Sequence, residues 1–230
     1  MKIAYTGLDL PEGKVKFNDP VFTGLARKFE PKKLSPYYFE FLPDAYEAAP
    51  AIAITRERIL DLLILDMEKI EVRLSRTEDP VEKSVLEKCL THLEREQPVC
   101  DMPMDSAGRA IINTLNVLSF KPVAVFEDAA PGIDEVCRAV LEKAGMMFFY
   151  TSGKEEVHAW LVRKGSAAVM CAERIHSDLA RGFIKAELVS YDQLLTAHSM
   201  QDARAKGLTR LVDRDTVVPE DTVLEIRFKV

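Results

Sequence analysis

Apolar and polar positions change period several times along the chain, and each change predicts an element. KIAYTG near the start is a short, almost unbroken apolar run, as expected of a buried strand. DPVFTGLARKF, residues 19–29, predicts a short helix with Asp19 as cap and Pro20 in its first position. SPYYFEFLP, 35–43, is aromatic and bounded by prolines, which predicts a second strand. From Thr55 to Ser75, Ile59, Leu63, Met67, Ile70 and Leu74 recur at helical spacing on one face. A further helix opens at Asp79-Pro80-Val81-Glu82, with Glu82 placed to bond back to the cap and Val81, Val85, Cys89 and Leu93 as its stripe. The connection between the two is short, so they should form an antiparallel hairpin over about 55–96. Residues 105–118 predict another helix, capped by Asp105, and KPVAVFED, 121–128, a strand of the parallel-sheet interior. A helix over 134–143 then ends at Gly145, where a C-cap glycine belongs.

From Met146 the texture changes. MMFFYTSG, EVHAWLVRKG, a helix from Ser166, GFIKAELVSY and TVLEIRFKV give strands around helices. The last strand alternates, with Leu224, Ile226, Phe228 and Val230 facing inward and Glu225, Arg227 and Lys229 outward. The expected organisation is an α/β domain over 1–145 and an α+β domain of the ubiquitin-like, β-grasp kind over 146–230.

Composition narrows the class. The 230 residues are 47% hydrophobic and 30% charged, with a net charge of -6 and a pI near 5.4. That balance argues against whole-surface attraction to nucleic acid or anionic lipid and leaves room for a local basic patch. Cys89, Cys100, Cys137 and Cys171 form no CxxC pair, which fits reduced thiols rather than a disulfide framework or a zinc site. No leader opens the chain and no apolar run reaches membrane length, so a cytoplasmic protein without a membrane partner is expected.

Several strings invite chemistry. GLDLPEGKV, 7–15, follows the first strand and is spaced much like a phosphate-binding loop. Such a loop uses glycines so that backbone N–H groups curl around phosphates, a lysine to reach the terminal ones, and a hydroxyl to ligate magnesium. Here five residues separate Gly7 from Gly13 instead of four, Pro11 removes one N–H, and Val15 follows Lys14 where the hydroxyl belongs. On these residues alone a plain strand-to-loop turn competes with a phosphate site. His176-Ser177-Asp178 are adjacent and cannot converge as a relay, so they read as a helix end with His176 near its C-terminus. Trp160 and His158 share one strand face, open either to core packing or to stacking on a base. Arg163, Lys164, Arg181 and Lys185 lie near turns and strand ends, as solvated charges or as phosphate contacts for RNA. Residues 146–230 hold twelve Lys and Arg and twelve Asp and Glu, so any such patch is local.

FFYTSGKEEVHAWLVRKGSAA, ERIHSDLARGFIKAELVSYDQL and the closing VLEIRFKV together resemble the TGS-like (DUF933) domain that ends the Obg-related ATPases of the YchF type. The first part then resembles, in reduced form, that family's P-loop NTPase-like domain with its helical arm, the arm including LEKCLTHLEREQPV. The departures fall at the family's functional points. After the second strand the family continues into an Asp-x-x-Gly switch, whereas here the chain reads LPDAYEAAP around Asp44. At the base-reading position Asp128 stands for an asparagine, and a carboxylate offers only acceptors. The closing FKV also differs from sulfur carriers that end in Gly-Gly.

Phosphoryl transfer rests on positioning and charge neutralisation, so these departures lead to the expectation of a non-catalytic binding protein, not an enzyme. It would reach the ribosome or RNA through the TGS-like domain. It would have no catalytic residues, no metal and no resident cofactor, with ATP or GTP as the nucleotide to consider. Gly7, Gly13 and Lys14 would remain as a relic loop holding phosphate weakly. Two alternatives stay open: a weak ATP- or GTP-binding regulator without efficient hydrolysis, and a protein–protein scaffold acting through the hairpin. An open edge on a shortened first sheet would favour a homodimer.

Overall fold

The computed structural model describes residues 1–229; the inward position expected of Val230 lies outside the described residues. In chain order the strands are β1 (Lys2–Thr6), β2 (Gly13–Lys16), β3 (Lys33–Ser35), β4 (Tyr38–Pro43), β5 (Ile52–Thr55), β6 (Val123–Phe126), β7 (Met146–Ser152), β8 (Glu156–Arg163), β9 (Phe183–Ser190), β10 (Arg210–Val212) and β11 (Thr222–Phe228). The helices are α1 (Pro20–Phe29), α2 (Ile59–Leu74), α3 (Pro80–Leu93), α4 (Ser106–Thr114), α5 (Ile133–Lys143), α6 (Ala168–Ile175), α7 (Ser177–Arg181), α8 (Tyr191–Leu195) and α9 (Met200–Ala205).

The chain forms two compact units, Met1–Val15 with Phe39–Ala144, and Lys16–Tyr38 with Gly145–Val230. The division expected at 145/146 therefore needs correction, because residues 16–38 belong to the second unit. The cause is visible in their partners. Asp19 caps α1 through Val21 N and also accepts from Tyr150 Oη at 2.6 Å. Phe17 stacks on Phe148, and β3 pairs in parallel with β8, Leu34 opposite Val157.

The first unit is an α/β layer. Its sheet runs β2-β4-β1-β5-β6, with β1 parallel to β4 and β5 (Ile3 opposite Phe41, Tyr5 opposite Ala53) and β5 parallel to β6. Residues 52–55 form strand β5, for which no element was expected, and the helix expected from Thr55 begins only at Ile59, after a 3₁₀ turn over Arg56–Arg58. Ala4, Ile52, Ile54 and Val123 from the sheet share a core with Ile59, Leu62, Leu63 and Ile70 of α2 and Leu86, Cys89 and Leu93 of α3.

The hairpin of α2 and α3 forms, but the stripe on α3 is shifted. Glu82, Leu86, Cys89 and Leu93 face inward and Val81 is exposed. Asp79 caps through Val81 N, while Glu82 does not bond back. It is drawn into the hairpin turn by Arg73 Nε at 2.7 Å and by the Thr77 hydroxyl. Helix α4 has its Asp105 cap on Gly108 N but stops at Thr114, short of the expected 118; Asn116 follows at φ 49. The next turn, Leu118–Phe120, is held by the wholly buried Asp66 of α2, whose carboxylate accepts from Leu118 N and Ser119 N, each at 2.6 Å.

The sheet of the second unit is mixed, in the order β10-β9-β11-β7-β8-β3. β7 and β8 form an antiparallel hairpin; β11 lies parallel to β7 and antiparallel to β9. Helix α6 covers one face, where Ala168 and Cys171 meet Met147, Phe149, Val162, Leu188 and Leu224. Along β11 the expected alternation fades outward: Leu224 is buried, Ile226 partly so and Phe228 exposed. The short α8, α9 and β10 between β9 and β11 were not legible as periodic segments.

Candidate functional site

In an open parallel sheet, ligands favour the crevice beyond the carboxyl ends of the strands where the order reverses. Here that place is the end of β1, between β4 and β5. Thr6 is buried there and its hydroxyl joins Asp44 Oδ1 and Tyr46 Oη, each at 2.7 Å. Asp44 turns the chain at φ 51, and its N–H donates to Tyr5 O. Burial pushes the Tyr46 hydroxyl above its ordinary pKa, against the Thr6 hydrogen bond. Gly7 has φ 74, and a Cβ on it would lie 2.2 Å from Thr55 Oγ1 and 2.8 Å from Arg58 Cγ. Arg58 pairs with Asp61 at 2.6 Å and Arg56 with Glu127 at 3.4 Å. The sequence pattern does not point to Thr55, Arg56 and Arg58 as a group, because the helix expected from Thr55 leaves the strand that delivers them unassigned; Pro50 before that strand is the available signal.

A triphosphate of the kind implied by the resemblance needs free N–H groups converging at a helix N-terminus. Residues 7–15 do not fit that requirement. The Asp9 N–H donates to Ala129 O at 2.6 Å and the Leu10 N–H to Leu8 O. Leu8 and Leu10 are buried, and Tyr5 Oη bonds Leu10 O. No helix follows the loop: Gly13 and Lys14 open strand β2, with Gly13 at φ 95 and Lys14 exposed. Asp128, at the expected base-reading position, is exposed beside the carbonyl that closes the loop. Among the described residues no group of three or more His, Cys, Asp or Glu is placed to hold a metal ion.

In the second unit the four basic candidates do not form one patch. Lys164 pairs with Glu220 at 3.2 Å, Arg181 with Asp178 at 2.6 Å, and Lys185 with Asp213. Arg163 and Lys164 leave the end of β8, while Lys185 is on β9, three strands away or about 14 Å at ordinary strand spacing. Arg163 instead shares a groove with Arg174, Met146 and Met170. Arg174 was not singled out in the sequence; its Nε donates to Leu161 O from the last turn of α6. Trp160 is half buried and donates to Thr151 Oγ1, and the His158 ring lies on it at 3.6 Å and 16°. One face of the indole is thereby covered, and burial holds the His158 pKa below its usual value. His176 sits at the C-terminus of α6, as expected, where its N–H donates to Ala172 O. It joins α6 to α7 and caps α7 by accepting from Asp178 N.

Residues 146–229 match the family of YchF-GTPase C-terminal domains, described as a protein of unknown function (DUF933). A Mycoplasma genitalium protein named "Ribosome-binding ATPase YchF" is 39% identical over 99 residues, covering 43% of this chain and 27% of that protein. The Bacillus subtilis protein of the same name is 27% identical over 237 aligned residues, covering 74% of this chain and 65% of that one. The chain thus spans less than two thirds of the length of these curated relatives. The structure of the Schizosaccharomyces pombe YchF GTPase superposes with a TM-score of 0.76 at 17% identity, covering 99% of this chain and 97% of that one. At that identity the likeness shows a shared NTPase-like α/β fold. These relatives overturn one expectation. A chain expected not to be an enzyme is similar in sequence to proteins named as ATPases and in fold to a protein named as a GTPase, so that expectation does not stand.

Proposed function

Because the chain belongs to the YchF family and carries that family's C-terminal domain, we propose that it is a ribosome-associated member of the family, acting in the cytoplasm. The observation that carries this reading is the match across residues 146–229, together with relatives named for ribosome binding. In this reading the second unit is a TGS-like β-grasp module and the part that meets RNA. Arg163 and Arg174 supply two guanidinium groups to one groove on an otherwise acidic chain, and that groove is the primary phosphate contact. Lys164, Arg181 and Lys185 contribute less, because a phosphate must displace the carboxylate each already holds. No step of nucleotide chemistry is assigned to residues 7–15.

The test is sedimentation of the full chain with purified ribosomal particles through a sucrose cushion at two salt concentrations. Co-sedimentation that weakens as salt rises, and weakens several-fold in Arg163→Glu with Arg174→Glu, is expected. Absence of binding at low salt, with the variant and parent melting alike, overturns the reading.

A further inference from the structure

Helix α2 carries more apolar side chains than its own unit uses. The core takes Ile59, Leu62, Leu63 and Ile70. Leu60, Ile64, Leu65 and Val72 of the same helix remain 43%, 49%, 40% and 49% exposed. Leu60, Ile64, Glu68 and Val72 follow one another at four-residue spacing and make one ridge. Glu57 in the preceding turn, Asp61, Leu65 and Lys69 make the ridge beside it, with Lys69 engaged by Glu47 and Asn116 O. A helix that is apolar on one face only has no need of this second set; one that is apolar on both faces meets something on each.

The acids on this side say what that partner is. Glu57, Asp61, Glu68 and Glu71 are all exposed there, and among the described residues only Asp61 of the four has an ion-pair partner, Arg58. A second copy of the chain would set these acids against their own kind, and nucleic acid or an anionic membrane would be repelled. A partner with apolar residues in helical register and lysine or arginine along its flanks meets both features. Its apolar residues cover the four aliphatic side chains, and its cations face Glu68, which lies between Ile64 and Val72, and the acids of the neighbouring ridge. We propose that the outer face of α2 docks a basic amphipathic segment of a partner protein. This surface lies in the first unit and does not rest on the RNA contacts proposed for the second.

The probe is a fluorescent synthetic helix of leucine and lysine, with leucine confined to one face and long enough to span α2, titrated against the full chain by anisotropy. A peptide of the same composition in scrambled order is the comparator. The expected result is saturable binding of the amphipathic helix, weakened about tenfold by Leu60→Ser with Ile64→Ser. Glu68→Lys with Glu71→Lys is expected to weaken it at low salt and less so at high salt. Equal binding of the scrambled peptide would mean that charge alone attracts it, and unchanged affinity in the serine variant would place the peptide elsewhere; either overturns the proposal. So does self-association in sedimentation velocity that Ile64→Ser abolishes, since the occupant is then a second copy. The serine variant should keep the parent's melting temperature, because its side chains are already exposed; a clear drop would show a packed face and also count against the proposal.

Discussion

Replacing Glu187 by glutamine is expected to destabilise the second unit by about 2 kcal/mol at neutral pH. Glu187 is on β9 with its side chain only 3% exposed. Its carboxylate accepts from Arg204 Nε at 2.8 and 2.9 Å and Arg204 Nη2 at 2.5 Å. Thr209 Oγ1 at 2.7 Å and Arg227 Nη2 at 3.0 Å also donate to it. The Arg204 hydrogen bonds, foremost, hold its carboxyl well below the ordinary 4.5, at about 2. That depression is equivalent to about 3 kcal/mol. Arg204 and Arg227 are 43% and 46% exposed, so water screens part of the interaction and about 2 kcal/mol remains. For a unit of this size the midpoint should fall by about 10 °C. Because the folded pKa lies below the unfolded one, this stability is fully present above about pH 4.5 and disappears as pH falls toward 2. Glutamine cannot titrate, so the gap between parent and variant should close over that window. Unfolding followed by the fluorescence of Trp160, the single tryptophan and a residue of the same unit, measures both quantities. A gap below about 0.5 kcal/mol at pH 7, or one that stays constant down to pH 3, would refute the reasoning.

Asp66→Ala removes the acceptor of two buried N–H groups, Leu118 and Ser119, and should destabilise the first unit by about 2–3 kcal/mol. Faster hydrogen exchange at those two amides is the local readout, and Asp66→Asn, which keeps one acceptor, should fall between. Lys14→Ala should leave the affinity for magnesium–ATP within about twofold in calorimetry, because Lys14 is exposed on β2 beside a loop whose N–H groups are engaged. A loss of about tenfold would instead show that this loop seats phosphate.

Caps were legible because they depend on neighbours within a turn. Asp19, Asp79 and Asp105 each cap the helix that follows them. Their signature is a short acceptor one residue before a helical run. β5 was not legible: AIAIT is a short apolar run that suits a buried strand and the start of a helix equally well. The departures of residues 7–15 from a phosphate loop could be read residue by residue at Pro11 and Val15. Nothing in the string pointed to Ala129 as the acceptor of the Asp9 N–H. Arg174 escaped notice for the same reason, since its proximity to Arg163 arises from α6 crossing the sheet.

By itself, then, the sequence determined the helices with aspartate caps, the hairpin of α2 and α3, the run of strands after Gly145 and the family that run belongs to. Only the tertiary structure decided that residues 16–38 complete the second unit, that the loop after β1 is closed by the segment after β6, and that α2 keeps an apolar face to spare. Spacing along a chain records which side of an element is apolar. Which distant segment comes to cover that side depends on contacts between residues far apart in sequence, and no local pattern holds them.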